Sequence, residues 1–460
     1  MKVHLSRRAF LDAAGSAGLF GLAGCRGFPA ILSCRSPNAL LSHAAVGTAN
    51  MALTDLKGLM SHPKLHVTAL CDVDSNFLAE AAKLCPGARL YRNAHEMFAV
   101  GGNRIDSCNV STPDHTHADY ITDALRRGLD VYGQKPLCRT VAECREVERL
   151  AVETGAVTQM GTQIAAHACD RETVEFLRMG AIGAVERVWI FSNRGGQSMA
   201  DHTWPLRESP VPEALDWKTW LGSAPVRDYA EGCYHPAAWR KWLDFGSSWL
   251  GDLGLHLLSP IWIGMELGRT GPLSVDAEVT REAPELERLF WPRNSHVTWH
   301  MPGVKASGGK PFCIEWCDGN IVARDAKPEP DDAVFGKDPN AKRLAGTNPA
   351  EASMEASYFP PAFFRELYAK TPIGEQPLEG RVVQGSEGWL LSVHCKSSPY
   401  VVLRNGTVVP PPKVAVVPSH WHEYVNCCLE GGTPTCSFAW AGRLAEMIVL
   451  GNEAMRKIRS

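Results

Sequence analysis

No stretch of this chain stays apolar for the ~18 residues that a membrane span requires, so nothing in it reads as a transmembrane helix. An excess of one charge is lacking too. Lys and Arg number 47 against 50 Asp and Glu, a net charge of −3, which leaves no broad basic surface for nucleic acid. Internal repeats and low-complexity tracts are absent, which argues against solenoids and arrays. What remains is an ordinary globular composition, 45% hydrophobic and 21% charged over 460 residues. That length suggests two or three domains.

Cysteine is not scarce: there are 15, an odd number. Cys71 and Cys108 lie inside apolar, strand-like runs, where Cys acts as a small hydrophobe. Cys313 and Cys317 have no second Cys or His pair nearby, so no zinc site is expected. Cys427-Cys428 falls on a helical pattern and reads as packing. Structural disulfides are not legible.

The N-terminus, "LSRRAFLDAAGSAGLFGLAGC", places Arg7-Arg8 ahead of Phe10, Leu11 and a short Ala/Gly/Leu stretch. That order reads as a twin-arginine export signal occupying, with its linker, residues 1–40. Leu22-Ala23-Gly24-Cys25 resembles a lipoprotein box that would anchor a lipid on Cys25. The alternative is cleavage further on, near Ser33 to Ser42. Either outcome implies a periplasmic protein.

From residue 41 to 163, strand-like runs alternate with helical ones, which implies βαβ units and a parallel sheet. Past 164 the pattern changes. A Trp-, Pro- and His-rich loop runs from Gly195 to Gly246, and short strands with Gly/Pro turns fill Pro272 to Val408. The expected fold is α/β plus α+β: a Rossmann-like doubly wound domain over 41–163, then a C-terminal α+β domain over 164–460 with a large, mainly antiparallel open sheet. The helices of 419–458 could return onto the first domain.

The first strand–turn–helix reads Gly47-Thr48-Ala49-Asn50-Met51-Ala52, a weakened G-x-G-x-x-A fingerprint for a dinucleotide. Ala49 stands where a Gly normally lets the backbone approach a pyrophosphate. Asp72, ending the second strand, is placed to accept ribose hydroxyls and to repel a 2′-phosphate, favouring NAD over NADP. Its other reading is a helix N-cap.

Three stretches carry a family resemblance. "VSTPDHTHADYITDALRRGLDVYGQKPL" resembles the T-P-x-x-x-H loop, helix, strand and E-K-P series of the Gfo/Idh/MocA oxidoreductases. "GDLGLH" resembles their D-x-G-x-H stretch. The export signal is similar to that of exported members. The resemblance implies that Lys135 is the catalytic lysine, that Pro136 shapes its turn, and that Asp252 and His256 complete the catalytic group. It also implies that Thr112, Pro113 and His117 lie along the cofactor. Gln134 departs from the family, which usually has Glu there; a neutral amide takes a negative neighbour from Lys135.

On a helix, positions i and i+4 share a face, so Asp252 and His256 would point into one cleft. Removing a hydride from a sugar carbon requires a proton acceptor for its hydroxyl, and an imidazole titrates near neutral pH. Asp252 could bind a neighbouring hydroxyl and tune the ring, while Lys135 polarises the reacting oxygen. The plainer reading is a helix cap and a core histidine. Tyr234, Trp239, Arg240, Trp242 and Asp244 suit a carbohydrate cleft, or else pack the domain junction. His202, Trp204 and His235 are weaker candidates, and Gln163 is expected at a strand end facing the cofactor. His420 and His422 are expected on a surface helix face, without metal.

The composite expectation is an exported NAD(P)-dependent oxidoreductase acting on a sugar or polyol, with its nicotinamide tightly held because little free NAD exists outside the cytoplasm. The alternatives are a redox-neutral NAD-dependent glycoside hydrolase or lyase, and a non-catalytic sugar-binding protein. The resemblance further implies a homodimer or homotetramer packed through the open sheet.

Overall fold

The computed structural model describes residues 39–101, 104–192, 206–268, 270–279, 284–292, 294–318, 336–337, 358–359, 363–377, 379–394, 397–415 and 417–459. The export signal, the lipid-anchor box at Cys25, His202 and Trp204 lie outside these residues.

Six strands form the first sheet: β1 (Leu41–Val46), β2 (Leu65–Cys71), β3 (Arg89–Tyr91), β4 (Ser107–Val110), β5 (Asp130–Gly133) and β6 (Thr158–Met160). Their order is β3-β2-β1-β4-β5-β6, with every pair parallel. β4 and β5 are buried along their whole length, as strands covered by helices on both faces must be. The crossover helices are α1 (Met51–Met60), α2 (Ser75–Leu84), α3 (Ala94–Gly101), α4 (Asp114–Arg126) and α5 (Val141–Thr154). α5 shows how local sequence sets such limits. Thr140 and Glu143 close a reciprocal capping box at its start, and Gly155, at φ 62°, ends it in the left-handed region. The strand order reverses between β1 and β4, the crevice where open α/β sheets bind ligands.

The second sheet contains β7 (Val185–Ser192), β8 (Ser274–Val279), β9 (Ser295–Met301), β10 (Phe312–Asp318), β11 (Gly380–Gly385), β12 (Gly388–Val393), β13 (Tyr400–Leu403) and β14 (Val408–Val409). Its order is β14-β13-β12-β11-β7-β10-β9-β8. All pairs are antiparallel except β7 with β10. One face is a core of Val188, Ile190, Trp299, Ile314 and Trp316, with Leu258 and Ile261 of α7 (Leu255–Gly264) and Ile448 of α10 (Phe438–Arg459). α6 (Ala168–Arg178) packs against α7. Part of the other face is closed by Phe364, Leu367 and Tyr368 of α8 (Phe363–Ala369).

The two C-terminal helices join the domains. α9 (His420–Glu430) lies on α1 and β1, burying Tyr424 and Val425 against Leu41, Leu59 and Tyr132. α10 touches α5 on one side and β8 and β9 on the other. Gly442 and Gly451 allow both approaches. A Cβ at Gly442 would come 3.2 Å from Glu148 of α5, and one at Gly451 would come 2.7 Å from the Trp299 ring. Nine residues at 100° each put these glycines on opposite faces of the helix.

One expectation is corrected by packing. His420 does not lie on a surface face: the seating of α9 on the sheet buries it, with Nε2 3.0 Å from the Met160 carbonyl. His422 is partly exposed, 2.8 Å from Ser61 Oγ. The cysteines among the described residues are all free thiols, and most are buried.

Candidate active site

A cavity of about 320 Å³ opens at the crevice between β1 and β4 and continues to the second domain. Its floor is the β1–α1 turn. Gly47 has φ 87°, and a Cβ there would come 2.4 Å from the Ser111 carbonyl, so only glycine fits. Thr48, Ala49, Asn50 and Met51 line the cavity beyond it. The first turn of α1 carries no acidic residue, which suits an anion at a helix N-terminus.

Asp72 sits beside this turn. Its Oδ2 accepts from the Thr48 amide and hydroxyl, each at 2.8 Å, and its Oδ1 accepts from the Asp74 amide at 3.0 Å. Two lone pairs per oxygen leave Oδ1 able to accept one further hydrogen bond. Burial pushes its carboxyl above the usual range, opposed by those hydrogen bonds. The N-cap of α2 is Asp74, whose side chain accepts from the Asn76 amide. Asp72 therefore serves the turn and the cavity. A tight Gly47 turn, a helix start without acid and a carboxylate with capacity to spare fit a dinucleotide, and these residues would hold it.

The wall is the loop after β4. Thr112 and Pro113 line it, and His117 ties it to the lysine turn, with Nε2 2.6 Å from the Thr112 carbonyl and Nδ1 2.7 Å from the Pro136 carbonyl. The Lys135–Pro136 bond is cis. Gln163 lines the cavity from a 3-10 turn after β6 rather than from the strand itself.

At the far end Lys135 Nζ donates to Asp252 Oδ1 at 2.6 Å and to the Asp252 carbonyl at 2.8 Å. The helical reading of Asp252 and His256 needs correcting. Leu250–Gly254 forms a π-helical turn, and α7 starts only at Leu255. Both residues still line the cavity, but the Asp252 carboxylate is engaged by Lys135, with Arg240 Nε 3.9 Å away. Such π turns recur at functional sites because they re-aim side chains and carbonyls.

The aromatic loop divides. Trp239 and Arg240 line the cavity, with the guanidinium 4.4 Å from the Trp239 ring centroid. Tyr234 and Trp242 do not: they are 2% and 1% exposed and pack with Trp217, Trp220, Phe245 and Phe290 in a separate core. Their large apolar area is best buried on each other. Asp244 pairs with Arg227 instead of facing the cavity. His235 lines the cavity beside the loop after β2, 3.0 Å from Asp74.

Among the other residues lining the cavity, Asp114 and His394 are titratable groups that spacing alone did not mark. Asp114 heads α4 and is buried, which raises its carboxyl; it stands in the "TPDHTH" run, where His117 is the more visible signal. His394 follows β12, and its ring centroid is 5.5 Å from that of His256. No local motif accompanies it.

The sequence model described as the oxidoreductase family, NAD-binding Rossmann fold, matches residues 41–162, and that of the oxidoreductase family C-terminal alpha/beta domain matches 190–292. D-apiose dehydrogenase of Paraburkholderia graminis is 27% identical over 117 residues, covering 25% of this chain and 31% of that protein. Inositol 2-dehydrogenase of Klebsiella pneumoniae is 30% identical over 91 residues, covering 19% and 26%. These alignments span less than a third of either relative. Among solved structures, aldose-aldose oxidoreductase from Caulobacter crescentus, complexed with glycerol, matches with TM-score 0.57 and 15% identity, over 91% of this chain and 98% of that one. GenD2 from gentamicin A biosynthesis, in complex with NAD, matches with TM-score 0.54 and 15% identity, over 95% and 97%. Such identities speak for fold alone. The two family models match in order: residues 41–162 carry the NAD-binding Rossmann domain of the Gfo/Idh/MocA oxidoreductases, and residues 190–292 match their C-terminal alpha/beta domain.

Proposed function

We propose that the protein transfers a hydride between a hydroxyl carbon of a sugar or polyol and a nicotinamide dinucleotide, NAD in preference to NADP. The observation that carries this reading is the Lys135–Asp252 pair, at 2.6 Å, in the same cavity as the Gly47 turn, Asp72 and His256. A bound nicotinamide supplies the hydride acceptor. The chain's own groups do the rest. Lys135 directs two of its three ammonium hydrogens to Asp252 and keeps one for the substrate oxygen, where its charge stabilises alkoxide character. His256 takes the hydroxyl proton. Arg240 offers a polar group for a carbohydrate, backed by the buried Trp239 ring beneath its guanidinium. The carboxylate of Asp72 disfavours a 2′-phosphate.

The Arg7-Arg8 signal supports export to the periplasm with the cofactor already bound. Slow exchange is supported by the ties that hold the segment around residues 214–235 to the loop after β2, beside Asp72. Arg92 Nη2 donates at 2.7 Å to the carbonyls of both Val73 and Ala214, and His235 meets Asp74. Protein purified from the periplasm without added nucleotide is expected to release NAD on denaturation, identified by mass spectrometry. It is then expected to form reduced nicotinamide with members of a polyol and aldose panel. Protein that neither carries nor binds NAD would sink the proposal. Cleavage of an aryl glycoside with no net reduced nicotinamide would move it to the redox-neutral alternative.

A further inference from the structure

Beneath the nicotinamide end lies a carboxylate that no part of the mechanism uses. Asp55, on α1, is fully buried and does not line the cavity. Five side chains converge on it. Gln134 Nε2 donates to Oδ2 at 2.7 Å and Ser111 Oγ at 2.8 Å. Trp421 Nε1 donates to Oδ1 at 3.0 Å, the Tyr132 hydroxyl at 3.4 Å, and Gln163 Nε2 at 3.5 Å. Ser111, Gln134 and Gln163 each line the cavity, from three different loops. Trp421 comes from α9, on the other side of α1. A buried carboxylate is costly unless satisfied, and here its acceptor capacity is filled by groups that must stay in place for the cavity to keep its shape.

Gln134 is the link to chemistry. Its Nε2 goes to Asp55, and its Oε1 accepts from the amide of Lys135 at 3.2 Å. The side chain thus holds the backbone of the lysine that meets Asp252. Glutamate at 134 would offer no donor and would set two carboxylates in direct contact. The Asp55 acid requires the Gln134 amide.

We propose that Asp55 is a positioning residue for Lys135 and for the nicotinamide end of the site, and that Asp55 and Gln134 form one acid–amide unit. Its members can exchange chemistry but cannot be altered singly. The donors and acceptors still match after exchange. With Asp55→Asn, the new amide oxygen can stay toward Trp421, Tyr132 and Gln163, and its NH2 group can turn toward residue 134 and Ser111. With Gln134→Glu beside it, the new carboxylate accepts from that NH2 group and from the Lys135 amide. Among the described residues, the titratable group facing Asp55 is Tyr132, from β5, and the charged group adjoining residue 134 is Lys135; Ser111, Gln134, Gln163 and Trp421 are neutral donors.

This inference rests on the proposed NAD site. Its test compares wild type with Gln134→Glu, Asp55→Asn and the double exchange. NAD affinity is measured by calorimetry from mildly acidic to mildly alkaline pH, and urea midpoints are measured without nucleotide. Gln134→Glu is expected to weaken NAD binding about tenfold or more, since like charges at contact shift one group by a pKa unit or more. The loss should deepen as pH rises, because the two carboxylates can share a proton only at the acidic end. The double exchange is expected to recover affinity to within about threefold and to lose that pH dependence; residues in contact couple non-additively. A Gln134→Glu protein with wild-type affinity at every pH would overturn the proposal, and so would a double exchange no better than the worse single variant. If wild type binds no NAD, the functional reading fails, and the coupling of the two substitutions in the urea midpoints still decides whether the acid–amide unit exists.

Discussion

Lys135 shows how a single side chain acquires a role from distant sequence. It follows β5, yet its partner Asp252 stands 117 positions later, and the contact is both to a carboxylate and to a main-chain carbonyl. Replacing it with Met is expected to lower turnover by about 10²–10³, the scale of losing one pre-organised charge at a developing oxyanion. NAD affinity should change only a few-fold, since Asp55 still holds Ser111, Gln134 and Gln163 in place and the Gly47 turn and Asp72 are untouched. Steady-state kinetics beside calorimetry would separate the two. At this scale Lys135, Asp72 and His256 were legible because short motifs surround them. Tyr234 and Trp242 were misread because an aromatic ring has the same sequence signature in a sugar cleft and in a core. His394 was invisible: its neighbours read only as strand.

At the scale of elements, α10 carries most consequence. It packs on both α5 and the second sheet through glycines on opposite faces. Gly451→Ala would press a methyl against the Trp299 ring, Leu250 and Val297. The expected cost is about 1–3 kcal/mol, the usual range for overpacking, read as a lower urea midpoint with an unchanged m-value. Because Leu250 opens the π-helical turn that carries Asp252, the same variant should raise KM for substrate more than it weakens NAD. The alternation of strands and helices up to residue 163 was readable from period alone. The π turn was not: an α and a π turn share one apolar pattern over five residues, and hydrogen-bond geometry distinguishes them.

The whole molecule carries several histidines that burial keeps neutral. His43, bridging Ser107 and Asn109 of β4, is held down to about 4 by desolvation, against an ordinary 6.5. His115 is lowered to about 3 and His420 to about 4 for the same first reason. A lowered histidine contributes stability that is complete above 6.5 and is lost as pH falls toward its folded value, because the unfolded chain binds a proton that the native one excludes. The buried acids Asp55 and Asp114, raised by burial, act in the opposite direction and favour the fold at lower pH. Total stability against pH therefore mixes both signs, and a difference isolates one. Between pH 6.5 and 4, the stability slope of His43→Gln is expected to be flatter than that of wild type by about one proton, or about 1.4 kcal/mol per pH unit. Parallel slopes from urea titrations would show that His43 is already charged in the fold.

By itself the sequence determined the parallel βαβ half, the second, mainly antiparallel sheet, the tight turn at Gly47 with Asp72 beside it, and the short stretches that carry Lys135 and His256 to the cavity. Each of these is written in local periodicity or in a spacing of a few residues, and local physics needs no third dimension. Only the tertiary structure decided that Asp252 serves Lys135, that the aromatic loop is largely its own core, that His420 is buried under α9, and that Asp55 gathers three loops beneath the cofactor end. Those outcomes depend on which surfaces meet after the chain folds back, and contacts between residues a hundred or more positions apart leave no periodic trace.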